Sequence, residues 1–223
     1  GEDVSLKWTF DNLGTTNKYY VEFGAIDGHQ DCNTHYFREV EGWTGLLLES
    51  GKWFPVAPND EINLQIETVS KDNINSIFKK YNVPHEFDLL SVDIDSFDYW
   101  VTKEILTQYS PRVVMVEVNV RFEPTESWRL KDDPNWDWNG TKWYGASPMA
   151  YKKMFNDAGY TPVYTHVDDL IAVRNDVLRE GGFSEPEWSY VYPHSNVPLY
   201  NTHNMGGTQE LVTELNLDEW EEV

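Results

Sequence analysis

Residues Lys18 to Ser50 read KYYVEFGAIDGHQDCNTHYFREVEGWTGLLLES: a β-rich run, a turn bearing an acid and glycines, a helix, and a second strand ending in Glu49. That order opens a doubly wound α/β sheet and describes a nucleotide-type cofactor site. Tyr19 to Phe23 forms the first strand, and Gly24 and Gly28 let the backbone turn sharply and approach a ligand closely. An acid about 20 residues beyond such a turn, at the tip of the next strand, can accept both hydroxyls of a ribose. Glu49 occupies that place, with Ser50 beside it.

The turn departs from the dinucleotide fingerprint. GAIDGH lacks the third glycine and sets Asp27 where a pyrophosphate would meet carboxylate repulsion. A cofactor without phosphate fits better. S-adenosylmethionine has an adenosine for Glu49 and a cationic amino-acid end that tolerates Glu22 and Asp27. The competing reading is an ordinary βα turn with no ligand.

Composition excludes more than it names. The 223 residues, 40% of them hydrophobic, suffice for one large domain with a sizeable core. Seventeen basic against 38 acidic side chains give a formal charge of -21, which repels phosphate backbones and anionic lipid, so neither nucleic acid nor membrane is expected as a partner. Cys32 is the only cysteine, so no intrachain disulfide or thiolate metal cage can form, and a reducing, cytoplasmic setting is expected. No stretch approaches the roughly 20 apolar residues that span a bilayer, and GEDVSLKWTF has no signal-peptide core. The Asn139-Gly140-Thr141 sequon carries little weight in that setting.

Further along, Glu61 to Val69 alternates like a strand, and Ile74, Ile77, Phe78 and Tyr81 recur at helical spacing before Pro84. Phe87 to Ile94 and Arg112 to Val118 are apolar runs suited to strands buried on both faces. Between them Ser96 is expected to cap a helix that turns Phe97, Trp100, Val101 and Ile105 inward. Ser147-Pro148 reads as a cap and first helical position, with Gly159 ending that helix and an edge hairpin following over Tyr160 to Thr165 and Leu170 to Arg174. The alternation implies a parallel sheet in a single domain with a core over 18–178. Residues 181–223 form a polar, aromatic extension expected to wrap the surface or pack on another subunit of a homo-oligomer.

In open α/β sheets the strand ends converge on the ligand crevice, which should gather Asp27, Glu49, Asp93, Asp95, Glu117 and Asn119. Asp93-Ile94-Asp95 leaves one strand and Glu117-Val118-Asn119 its neighbour, a hard-oxygen set suited to Mg²⁺, Mn²⁺ or Ca²⁺. A cation there would lower the pKa of a coordinated hydroxyl, and Asp95, with Asp93 beside it, could take its proton. The bland reading makes these acids helix caps and loop anchors.

The stretch 119–147 lacks periodicity, and long loops in compact domains are usually functional. Its Trp128, Trp138, Trp143 and Tyr144 offer flat faces for a sugar ring, with Glu123, Glu126, Asn135 and Asp137 for hydroxyls. About half of the tryptophans are expected to anchor the loop instead. No histidine pair has the close helical spacing of a zinc motif, and only His29, beside the glycine turn, is a candidate contact to cofactor or acceptor.

With these residues in view the chain resembles the FkbM-type family of S-adenosylmethionine-dependent methyltransferases over about Tyr19 to Leu178. The anchors are VEFGAIDG (Val21 to Gly28), Asn33-Thr34, GLLLE (Gly45 to Glu49), NINSIF (Asn73 to Phe78), DLLSVDIDSFDYW (Asp88 to Trp100), VEVN (Val116 to Asn119) and WNGTKWYGAS (Trp138 to Ser147). The resemblance implies a Rossmann-like, mostly parallel seven-stranded sheet with an antiparallel edge strand, and O-methylation of a hydroxyl, often on a sugar or natural product. Carried over by position, Glu22, Gly24, Asp27, Gly28, Asn33, Thr34, Glu49 and Asp93 would hold the cofactor. A more distant likeness to metal-dependent sugar O-methyltransferases would make Asp93, Asp95, Glu117 and Asn119 the cation site, with Asn119 replacing a carboxylate. The expected activity is transfer of a methyl group to a hydroxyl of a sugar, glycan or glycosylated metabolite. The competitors are a glycosyltransferase using Asp93-x-Asp95 and a non-catalytic carbohydrate-binding module on the same fold.

Overall fold

The computed structural model describes residues 2–133, 136, 138, 143–193 and 215–223. Asn135, Asp137, the Asn139-Gly140-Thr141 sequon, His194 and His203 lie outside the described residues. In chain order the elements are α1 (Glu2–Leu13), β1 (Tyr19–Phe23), α2 (His35–Glu39), β2 (Thr44–Glu49), β3 (Leu64–Ile66), α3 (Ile74–Lys80), β4 (Leu89–Val92), α4 (Asp98–Ile105) and β5 (Val113–Glu117). Then follow β6 (Trp128–Leu130), α5 (Pro148–Asp157), β7 (Tyr160–His166), β8 (Asp169–Arg174), α6 (Asn175–Glu180), α7 (Trp188–Val191) and β9 (Trp220–Glu222).

Seven strands form one sheet in the order β3-β2-β1-β4-β5-β8-β7. The first five are mutually parallel, while β8 pairs antiparallel with both β5 and β7. This is the α/β, Rossmann-like architecture expected. The strands are buried on both faces because their apolar runs alternate between two helix layers. Val21, Phe23, Leu46, Leu48, Leu90 and Val92 face Ile77 and Phe78 of α3, Val101 and Ile105 of α4, and Tyr151 and Phe155 of α5. Tyr20, Leu47, Leu89, Val113 and Ile171 face Leu6 and Phe10 of α1, Phe37 of α2, and Val177 of α6.

β1 pairs with β2 on one side and β4 on the other, so the winding direction reverses between β1 and β4. A crevice opens at such a point beyond the carboxyl ends of the strands. The register is anchored at the opposite end by Asp88. Its buried carboxylate accepts the N–H groups of Thr16, Asn17 and Lys18 at 2.7–3.0 Å and faces the Arg112 guanidinium at 3.2 Å.

Three details differ from the reading of the sequence. The strand expected over Glu61 to Val69 shrinks to Leu64–Ile66, because Asp60–Asn63 forms a turn with Asn63 at φ +53° and its side chain bound to the Gly45 carbonyl. Ser96 does not cap α4. Its Oγ donates to the Ile94 carbonyl, and the buried Asp98 carboxylate accepts the N–H groups of Ile94 and Ser96 at 2.7 and 2.9 Å. The end of the extension is a strand, with β9 pairing antiparallel to β6 inside the stretch read as loop. Ser147 does cap α5, accepting from the Ala150 N–H at 3.2 Å with Pro148 at the first position. Among the described residues no helix is long and apolar enough to cross a membrane.

Candidate active site

The crevice has a volume of about 720 Å³, within the usual range for small-molecule sites. Gly24, Ile26, Glu49, Ser50, Asp93 and Asp95 contribute to its lining. Gly24 follows β1 at φ +71°, and a Cβ added there would lie 1.9 Å from the Asp93 carbonyl oxygen. Only glycine lets the β1 turn close on the end of β4. Ile26 sits at φ +49°, which a β-branched residue adopts only when its surroundings impose it. The constraint is Glu49, whose Oε2 accepts the Ile26 N–H at 3.2 Å while Oε1 accepts from Ser50 Oγ and the Gly51 N–H, both at 3.1 Å. Glu49 is thus a fixed, buried carboxylate at the tip of β2, with acceptor capacity left over on both oxygens. A ribose diol is a suitable partner for it.

Glu22 has another task. Buried on β1, it accepts the N–H groups of Asn33 and Thr34 at 2.7 and 3.0 Å, the Thr34 hydroxyl, and the Cys32 thiol at 3.2 Å. Burial raises its pKa and these donors pull it back. Glu22, Asn33 and Thr34 therefore form a buried brace behind the turn and do not line the crevice. The same brace pushes the Cys32 thiol up to about 12, chiefly by burial, so it is no nucleophile. Asp27 is not among the residues lining the crevice, and its Oδ1 accepts the N–H groups of His29 and Gln30, both at 2.9 Å. Those two donors hold its pKa low. Gly28 is a packing glycine, since a Cβ there would meet Ile62 and Leu47 side chains at 2.6 and 2.9 Å.

The carboxylates of Asp93, Asp95 and Glu117 do converge, one oxygen of each lying within 4.8 Å of the others. β4 and β5 are adjacent and parallel, which brings their C-terminal acids together. Burial raises all three pKa values: those of Asp93 and Glu117 well above their ordinary values, with repulsion from neighbouring carboxylates adding to it, and that of Asp95 with added repulsion from Asp168. Asp98 below them is pushed up to about 7, chiefly by burial. Among the described residues Glu117 Oε2 is inaccessible and has no hydrogen-bond partner. A half-buried, mutually repelling acid trio with an orphaned oxygen is satisfied by protons or by a hard divalent cation, and the donor set fits the latter. The Asn119 amide donates to the Tyr144 carbonyl and accepts the Arg121 N–H, both at 3.2 Å, which fastens the loop.

The aromatic residues divide. Trp138 lines the crevice with its ring at 6.0 Å from Trp53, whereas Trp128 and Trp143 pack in the satellite cluster of Phe122, Leu130 and Trp220 that seats β9. Burial, with the nearby Glu117 and Asp168 carboxylates, raises the Tyr144 phenol pKa well above its ordinary value. His29 lies outside the crevice, against His35. Reading the sequence missed Trp53 and Phe54, which line the crevice just after Ser50, and took Phe97 and Trp100 as inward helix positions although they line it too; Trp136, of the aromatic 119–147 stretch, joins Trp138 there. The run GKWFP directly after the ribose-type acid was the available signal. Asp168 was invisible, because only the β7–β8 turn carries it to the acid cluster.

No protein-family model matches the chain, and no curated protein matches it. Among solved structures, the MycE methyltransferase from the mycinamycin biosynthetic pathway, in complex with Mg and SAH, superposes at TM-score 0.48 and 11% identity over 78% of this chain and 50% of that one. This chain therefore spans half the length of that relative. A putative O-methyltransferase from Klebsiella pneumoniae gives 0.41 and 12% over 78% and 79% of the two chains. The SAH-bound Podospora anserina methyltransferase PaMTH1 gives 0.45 and 18% over 77% and 76%.

Proposed function

We propose that the chain is an S-adenosylmethionine-dependent O-methyltransferase of the FkbM type, acting on a hydroxyl of a sugar, glycan or glycosylated metabolite with a divalent cation at its acid cluster. One observation carries the reading. The fixed Glu49 carboxylate and the glycine-closed β1 turn share one crevice with the Asp93–Asp95 pair, at the point where the sheet reverses its winding. Glu49 suits the ribose, and Gly24, Ser50 and Asp93 suit the rest of the cofactor.

When bound, S-adenosylmethionine supplies a methyl group already activated on a sulfonium. The protein's task is then to align the acceptor oxygen and take its proton. Asp95 is the base. Its raised pKa makes it a better proton acceptor near neutral pH than an ordinary aspartate. Asp93, Asp95 and Glu117 would hold the cation, which supplies a lowered pKa for a coordinated hydroxyl. Trp53, Phe54 and Trp138 offer the apolar faces on which a sugar ring packs.

The test is calorimetric titration of S-adenosylmethionine, and separately of a nucleotide sugar, into chelated protein, repeated with Mg²⁺ or Mn²⁺. The reading expects S-adenosylmethionine binding that Glu49→Ala abolishes. Nucleotide-sugar binding that depends on metal, with none for S-adenosylmethionine, would replace it with a glycosyltransferase. Cofactor binding without turnover over a broad glycan panel would favour a binding module.

A further inference from the structure

His35 lies six positions after His29, a spacing that matches no helical zinc motif. The fold nevertheless closes the gap. His35 opens α2 and Glu39 ends it four residues on, so both project from one face of the helix. His29 comes to that face from the turn, where the Asp27 carboxylate fixes its N–H at 2.9 Å. The two imidazole rings stand 5.4 Å apart at 83°, and a ring nitrogen of each together with a Glu39 oxygen all lie within 4.8 Å of one another.

The relation between turn and helix is set before any ion arrives. Arg38, on α2, donates from Nη2 to the carbonyl of Gly28, the residue preceding His29. The Arg38 Nε occupies Glu39 Oε1 at 2.9 Å, and Oε2 remains for a ligand. Imidazole nitrogens select Zn²⁺ and its neighbours over Mg²⁺ or Ca²⁺, and two histidines plus one carboxylate leave an open position on a tetrahedral ion. Zn–N bonds of about 2.0–2.1 Å require the ligand atoms to close by about 1 Å or somewhat more, within reach of side-chain rotation at the exposed His29 and Glu39 and the half-buried His35.

We propose that His29, His35 and Glu39 form a second metal site, selective for a borderline transition-metal ion, on the outer side of the glycine turn. It is separate from the Asp93–Asp95–Glu117 cluster. An ion there ties the 28–35 segment to α2, and so bears on the turn whose inner residues line the crevice.

The test uses the full chain, treated with chelator and dialysed, and titrated with Zn²⁺ by calorimetry. Absorption of the Co²⁺-substituted protein reports ligand type. Asp95→Asn removes the other cluster's contribution. The expected result is one Zn²⁺ per chain retained in Asp95→Asn and weakened at least about tenfold in His29→Asn and in His35→Asn, since even indirect loss of support costs a zinc site that much. Glu39→Gln should weaken it too. Hydrogen exchange over 28–35 should slow when Zn²⁺ is added to wild type and not to His35→Asn. Circular dichroism establishes that each variant is folded. No Zn²⁺ binding by folded protein, or an affinity indifferent to both histidines, overturns the site.

Discussion

Replacing Gly24 by alanine isolates the contact on which the crevice depends. The new Cβ would fall 1.9 Å from the Asp93 carbonyl oxygen, against the 3.0 Å below which such contacts essentially do not occur, so the end of β1 and the end of β4 must part by about 1 Å. Neither partner is a flexible side chain that can swing aside. The left-handed φ of +71° costs an alanine about 1–2 kcal/mol. Forcing atoms into a packed contact adds about 1–3 kcal/mol. A loss of about 2–5 kcal/mol lowers the melting temperature of a chain this size by about 4–20 °C. Gly42 provides the control, since it has nearly the same φ, +69°, and nothing within 4 Å of an added Cβ. Gly42→Ala should therefore lose only the conformational part, about 2–8 °C. Differential scanning fluorimetry reads both. Calorimetry should find S-adenosylmethionine binding about 10²-fold weaker in Gly24→Ala and unchanged in Gly42→Ala, because a shift near 1 Å separates Glu49 from Asp93. Equal melting losses in the two variants would refute the close approach.

Asp88→Asn should destabilise by about 3–5 kcal/mol, because it leaves the Arg112 guanidinium and backbone donors of residues 16–18 short of a buried acceptor; urea unfolding measures it, and cofactor affinity in the surviving folded fraction should not change. The pKa values of Asp93, Asp95, Asp98 and Glu117 are raised on folding, so the folded state binds more protons and stability falls as pH rises from about 4 through 7, where Asp98 titrates. Melting temperature against pH for chelated protein should show that decline, with Glu117→Gln making it shallower and Mn²⁺ removing most of it. Trp220→Ala, which empties the seat of β9 between Phe122 and Leu130, should cost about 3–5 kcal/mol and raise protease susceptibility within 119–147 while leaving cofactor binding intact.

What could be read from the residues was local or periodic. The β1 turn, Glu49 at the tip of β2, the buried runs of β4 and β5 and the Ser147-Pro148 cap each announce themselves within a few positions. What escaped depends on distant partners. Strand β9 has no meaning until β6, some 90 positions earlier, accepts it. The apolar face of α1 is understood only once Phe37 and Trp43 pack beneath Phe10. At the site, residue type was legible but orientation was not. Glu22 and Asp27 look like cofactor acids by position, yet local N–H donors claim their oxygens. Asn119 likewise spends its amide on its own loop.

The two borders of the seven-stranded sheet differ in length but have one property in common. One is the three residues of β3, and the other is β7, which carries Pro162 and a register shift between Pro162 and Tyr164. Neither offers another chain a long, even row of free backbone donors and acceptors. Growth of the sheet by adding strands from neighbouring molecules is therefore blocked at both ends. Edge-to-edge pairing of the kind that begins fibrils finds no long, flat border on this sheet.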